Sequence, residues 1–179
     1  MSRIGKLPIV LPKDVDFSIN DNLVSIKGPF GDFKTTIPPE IIVELKERTV
    51  FVNIKDNSLK SRSLYGAFRT LLHNDISGVN KKFEVELNLV GVGYRCETTP
   101  KVAILRLGFS HPIELTIPEG VTVQVENNTA ITISGAKKET ITQFAATIRS
   151  YRRPEPYNGK GVLYKNEKII RKAGKSGKK

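Results

Sequence analysis

The chain is predicted to be an α+β protein made of two duplicated domains, each a mainly antiparallel sheet with one packed helix, followed by a basic C-terminal tail. Three observations carry that prediction. The sequence matches itself at an offset of 80 residues; period-two apolar runs precede a helical stripe in each copy; and the positive charge is gathered at one end.

The self-match needs no gap. Gly28 aligns with Gly108, Thr36-Ile37-Pro38 with Thr116-Ile117-Pro118, Val43 with Val123, Thr49 with Thr129 and Arg69 with Arg149. Each copy reads strand, turn, strand, a turn bounded by proline, two short strands and a helix. In the first copy the paired strands fall around Ile42–Leu45 and Val50–Ile54. Leu64, Phe68, Leu71 and Leu72 then recur at helical spacing. Such a stripe buries one side of a helix against a sheet.

The second copy opens on a strand in which Phe83, Val85, Leu87 and Leu89 alternate with Glu84, Glu86 and Asn88. The two glutamates two residues apart are the polar face of that strand rather than a catalytic carboxylate pair. Gly91 and Gly93 predict a bend or bulge in a strand continuing through Tyr94 and Arg95. Val121, Val123 and Val125 form a half-buried strand, Asn127-Asn128 the turn, and Ile131 and Ile133 its partner. Ile141, Phe144, Ala145, Ile148 and Tyr151 supply the second helical stripe. The expected boundaries are 1–80 for the first domain, 81–164 for the second and 165–179 for the tail, with the join near Ser77-Gly78-Val79.

Chemistry is conspicuous by what is missing. Cys96 is the single cysteine, which excludes an intrachain disulfide and suits a reducing compartment. His73 and His111 do not combine with it at metal-ligand spacing, so neither a metal nor a cofactor is expected. Gly91-Val92-Gly93 fails as a dinucleotide fingerprint because Cys96 stands where the third glycine belongs. Gly174-Lys175-Ser176 fails as a phosphate loop because Ile169 occupies its first glycine position. Asn127-Asn128-Thr129 is a chance glycosylation match without secretion. The N-terminus lacks an apolar run of signal length, and no stretch reaches the roughly 18 apolar residues of a membrane span. Neither membrane attachment nor a small-molecule substrate is expected, and the chain is not expected to be an enzyme.

Charge points elsewhere. The 179 residues carry a net charge of +11, and of this +9 lies between Arg149 and Lys179. That segment holds Arg149, Arg152, Arg153, Lys160, Lys165, Lys168, Arg171, Lys172, Lys175, Lys178 and Lys179 against only Glu155 and Glu167. Tyr151, Tyr157 and Tyr164 are interleaved with the cations. A balanced body with a basic, tyrosine-bearing end is the footprint of a polyanion binder. Pro154 and Pro156 stop the second helix and send the chain out extended. Tyr157-Asn158-Gly159-Lys160-Gly161 then forms a candidate clamp in which backbone N–H groups and Lys160 meet phosphate oxygens. Two competing classes are an enzyme with a basic pocket, for which no acid, base or metal set is present, and an adaptor for acidic proteins.

MSRIGK at the N-terminus, LVGVGYR at 89–95, GFSHP at 108–112, PEPYNGKGVLY at 154–164 and the terminal IIRKAGKSGKK resemble the bacterial-type family of the sixth protein of the large ribosomal subunit. The resemblance runs along essentially the whole chain. It departs at Asn158, where the family usually carries lysine, which removes one candidate phosphate contact. It implies a structural, non-catalytic protein that binds large-subunit rRNA near the sarcin–ricin loop. Stalk-base proteins and the docking region of translation factors would then be its neighbours, in a bacterial or an organellar ribosome. Carried over by position, Arg153, Tyr157, Gly159, Lys160 and Gly161 form the main RNA-contacting loop. Arg149, Arg152, Lys165, Arg171, Lys172, Lys175 and Lys178 complete the expected contacts, and the tail would thread along rRNA.

Overall fold

The computed structural model describes residues 2–174 and divides into two compact units, one ending at Lys82 and the other starting at Phe83. All strand pairings in both are antiparallel.

In the first unit β2 (Asp16–Asn20), β3 (Leu23–Gly28) and β4 (Gly31–Thr36) form one meander. β1 (Ile9–Val10), β5 (Ile41–Lys46) and β6 (Thr49–Ile54) form a second sheet in the order β1-β6-β5. α1 (Leu59–Asn80) packs against strands of both sheets. Its N-cap is Ser58, whose hydroxyl accepts the Ser61 amide at 3.2 Å, satisfying one of the free amides of the first turn. The buried stripe is Tyr65, Phe68, Leu72, Ile76 and Val79. It closes over Val24, Ile26, Val50 and Val52 from the sheets. Burying each such side chain contributes on the order of 2 kcal/mol. Leu71, expected on this stripe, is 40% exposed. Ser77, Gly78 and Val79 are the last turn of α1 rather than a connection, and Gly78 and Val79 are buried.

The second unit comprises β7 (Phe83–Val90), β8 (Arg95–Thr98), β9 (Val102–Arg106), β10 (Ile113–Thr116), β11 (Val121–Glu126), β12 (Ala130–Gly135), α2 (Lys138–Tyr151) and β13 (Gly161–Tyr164). One sheet runs β10-β9-β8 and the other β11-β12-β7-β13. α2 buries Ile141, Phe144, Ala145 and Ile148 against Leu87, Leu89, Ile131, Ile133 and Val162. Tyr151, at the end of the expected stripe, is 40% exposed. The strand expected to continue past Gly93 ends at Val90. The Tyr94 amide closes a turn on the Gly91 carbonyl at 3.3 Å, and the chain leaves for the other sheet. Each copy therefore has two sheets, not one.

The duplication extends to individual hydrogen bonds. The Ile41 amide donates to the Pro38 carbonyl at 3.0 Å, and the Val121 amide to the Pro118 carbonyl at 3.2 Å. The turn after β5 holds Glu47 at φ 53°, and the turn after β11 holds Asn127 at φ 52°. β5 and β11 lie 80 residues apart at both ends. No helix of the described residues is long and apolar enough to cross a membrane.

Candidate nucleic-acid interface

α2 stops where the prolines require it. Tyr151 is its last residue and Arg152 its C-cap, because Pro154 excludes the helical region for Arg153. The chain then makes a closed excursion. The Val162 amide reaches back to the Arg152 carbonyl at 2.9 Å, the Glu155 amide to Lys160 at 2.8 Å, and the Gly159 amide to Glu155 at 2.9 Å. β13 follows and pairs with β7, with Gly161 opposite Val90 and Tyr164 opposite Leu87.

The two glycines of the Gly-Lys-Gly run are buried and structural. Gly159 adopts φ +73° and Gly161 φ +143°. A Cβ on Gly161 would stand 2.7 Å from the Pro154 Cα and 2.8 Å from the Arg153 carbonyl oxygen, so only glycine fits. The Gly159 amide is used inside the turn, donating to the Glu155 carbonyl, so that amide is not offered outward.

Those side chains divide into two sets. Arg149 is turned inward: its Nη2 meets Glu167 Oε1 at 2.6 Å, and its guanidinium lies 5.3 Å from the Tyr164 ring centroid. Glu167 Oε2 also accepts the Tyr164 amide at 3.0 Å. Lys165 is similarly engaged, its Nζ 2.5 Å from Glu86 and its amide bonded to the Glu86 carbonyl at 2.9 Å. Glu86 is thus not simply a solvated face residue.

Arg152, Arg153, Tyr157 and Lys160 are exposed. Arg152, Arg153 and Lys160 line a polar depression of about 390 Å³ together with Tyr94 and Glu155. Two later residues return to the same loop. The Lys172 amide donates to the Pro156 carbonyl at 2.9 Å, and the Arg171 guanidinium lies against Gly159. Lys168, Arg171 and Lys172 are exposed. Lys175 and Lys178 lie outside the described residues.

Tyr94 and Phe109 joined no site in the sequence reading, yet both touch Arg152. Its Nε donates to the Tyr94 hydroxyl at 3.1 Å, and its guanidinium carbon sits 5.3 Å from the Phe109 ring centroid. The only advance sign was their place in the LVGVGYR and GFSHP motifs. Among the described residues no group of three His, Cys, Asp or Glu could hold a metal. Cys96 is fully buried, and burial pushes its thiol up to about 11, the inert direction for a nucleophile.

The chain is thus a doubled α+β scaffold whose second helix ends in a hydrogen-bonded loop that gathers Arg152, Arg153 and Lys160 around one depression. The family model for ribosomal protein L6 matches residues 11–82 and 90–165, one segment in each unit, and the chain belongs to that family. It is 50% identical over 179 residues to the large ribosomal subunit protein uL6c of Trieres chinensis, and 48% identical over 179 residues to uL6 of Geotalea daltonii, with all of each chain covered in both cases. Over 178 residues it is 47% identical to uL6c of Phaeodactylum tricornutum, covering 99% of this chain and all of that one. The family is one of structural ribosomal proteins and not of enzymes.

Proposed function

We propose that the chain is a structural constituent of the large ribosomal subunit that binds large-subunit rRNA through its second unit. The observation that carries this is the loop from Arg152 to Gly161, which holds Arg152, Arg153 and Lys160 around one depression and draws Arg171 and Lys172 back to it. Tyr157 and Lys168 extend the exposed surface, and Lys175 and Lys178 of the tail add charge. Gly159 and Gly161 shape the loop, while Arg149 and Lys165 brace it.

The relatives named as large-subunit proteins, bacterial and uL6c alike, support a ribosome of bacterial or organellar type. The family resemblance supports a seat near the sarcin–ricin loop, beside stalk-base proteins and the docking region of translation factors. Phosphate neutralisation supplies most of the affinity. About 8 cations on phosphates give a log–log salt slope of roughly −5 to −7. Specificity comes from the fit of the rigid loop to folded RNA.

Sedimentation of the tagged chain from its native cell, at low and at high salt, is the test. Co-migration with the large subunit that resists moderate salt and is lost on RNase treatment is expected. A chain found only at the top of the gradient, or one that keeps its partner after RNase, overturns the reading.

A further inference from the structure

We infer that the guanidinium of Arg152 is a stacking platform for one unpaired nucleobase of the bound RNA. This rests on the rRNA reading above and assigns a role to two motifs, LVGVGYR and GFSHP, which that reading leaves unused. Three segments remote in sequence converge on one group. Tyr94 comes from the turn after β7, Phe109 from the loop between β9 and β10, and Arg152 from the end of α2. The phenol takes the Nε hydrogen at 3.1 Å, and the Phe109 ring lies 5.3 Å beneath the guanidinium carbon.

The support is itself fixed. A Cβ on Gly91 would stand 2.7 Å from the Tyr94 ring and one on Gly108 3.2 Å from it, so the ring fills the space over both glycines. An arginine meant only to neutralise a phosphate needs no aromatic floor and no phenol to hold its Nε. Both restrict a side chain that otherwise keeps about 2 kcal/mol of rotamer entropy. Holding the guanidinium in one place serves stacking, the mode by which RNA-binding proteins take splayed-out bases on arginine planes. Arg152 is exposed and lines the polar depression, within reach of a ligand seated there. With Nε used by Tyr94, neither Nη group has a hydrogen-bond partner among the described residues, which leaves both to the nucleotide. Arg153 and Lys160, on the same depression, stand ready for the flanking phosphates. Glu155, the one carboxylate there, serves as acceptor for a base amine.

The experiment uses the full chain, transcribed large-subunit rRNA and three variants: Arg152→Lys, which keeps the charge, Phe109→Leu, which removes the floor, and Lys160→Ala. Equal thermal midpoints for Arg152→Lys and wild type exclude misfolding as the cause of any loss. Arg152→Lys and Phe109→Leu are expected to weaken binding about tenfold, within the range measured for base stacking, at an unchanged salt slope. Lys160→Ala is expected to reduce the slope by about 0.7 to 0.9. Acylation of ribose 2′-hydroxyls is expected to find an unpaired nucleotide immobilised by the wild type and released in Arg152→Lys. A footprint confined to paired RNA, or one that Arg152→Lys leaves intact, overturns the stacking inference while leaving rRNA binding standing. Absence of any wild-type rRNA binding overturns the rRNA reading itself, and this inference with it.

Discussion

Replacing Arg149 by methionine separates bracing from RNA contact more sharply than any other single change. Arg149 and Glu167 retain 30% and 27% of their side-chain exposure and meet at 2.6 Å. A fully exposed pair contributes 0–1 kcal/mol and a bond to a charged group about 1.5–3 kcal/mol, so this partly screened pair contributes about 1–2 kcal/mol. The contact with the Tyr164 ring adds about 0.5–1 kcal/mol. Against this, the Arg149 Nε is buried with no hydrogen-bond partner among the described residues, a cost on the order of 1 kcal/mol that methionine removes. Arg149→Met should therefore destabilise by only about 1 kcal/mol. Glu167→Ala should cost more, about 2–3 kcal/mol, because it strands the guanidinium and also deprives the Tyr164 amide of its acceptor. At about 2–4 °C per kcal/mol for a chain of this size, calorimetry should register drops of about 3 °C and about 8 °C. Filter binding to rRNA across a salt series supplies the second readout. The Arg149→Met slope should equal that of wild type, because the cation removed was not on a phosphate. A slope shallower by about 0.7 or more, with an unchanged thermal midpoint, would refute the bracing argument and make Arg149 an RNA contact.

Three further outcomes follow from the geometry. Gly161→Ala places a Cβ 2.7 Å from the Pro154 Cα at φ +143°, so denaturant titration should show a loss of more than about 2 kcal/mol, with weakened rRNA binding. Cys96, raised from its ordinary 9.0 to about 11 by burial, should resist thiol reagents at pH 8 until the chain unfolds. Its proton is retained by the folded state and lost by the unfolded one between those values. Stability present below pH 9 therefore falls toward pH 11 by about 2–3 kcal/mol, a component that Cys96→Ala should lack. Arg69→Ala removes bonds to the Leu7 and Pro8 carbonyls at 3.1 and 3.2 Å; limited proteolysis should then cut faster after Arg3 or Lys6, with about 1 kcal/mol lost.

Local signals were readable from the sequence where one residue type decides the backbone. Asn127-Asn128 predicts its turn because asparagine tolerates the left-handed region in which both residues sit. Pro154 predicts the end of α2, and the Ile141–Ile148 stripe its buried face. Long-range pairing was not readable. Lys165 finds Glu86 at a separation of 79 residues and Arg152 finds Tyr94 at 58, and charge counting treats all such cations as equally free. β13 escaped because its four residues begin with glycine and follow a loop, leaving too short a run for any period. Ser77-Gly78-Val79 looked like a linker because small residues near a glycine resemble one; burial of Gly78 and Val79 keeps the helix going.

The two copies part where the second helix ends, and the basic loop lies at that point. Eighty residues before Pro154 and Pro156 stand Asn74 and Ile76, well inside α1, which runs on to Asn80. α2 ends at Tyr151, so the prolines shorten the second helix and release the chain into the Arg152–Gly161 excursion. The freed chain then returns as β13 on the outer edge of β7, where Leu163 and Tyr164 face Asn88 and Leu87. The equivalent positions in the first copy are Pro8 and Leu7, and no strand lies there among the described residues. The Arg69 guanidinium takes both of their carbonyls instead, blunting a sheet edge with charge. Arg149, its counterpart on α2, faces an edge already filled and is turned onto Glu167 beyond β13. The same arginine thus closes an edge in one copy and, in the other, fastens the strand on which the Arg152–Gly161 excursion returns.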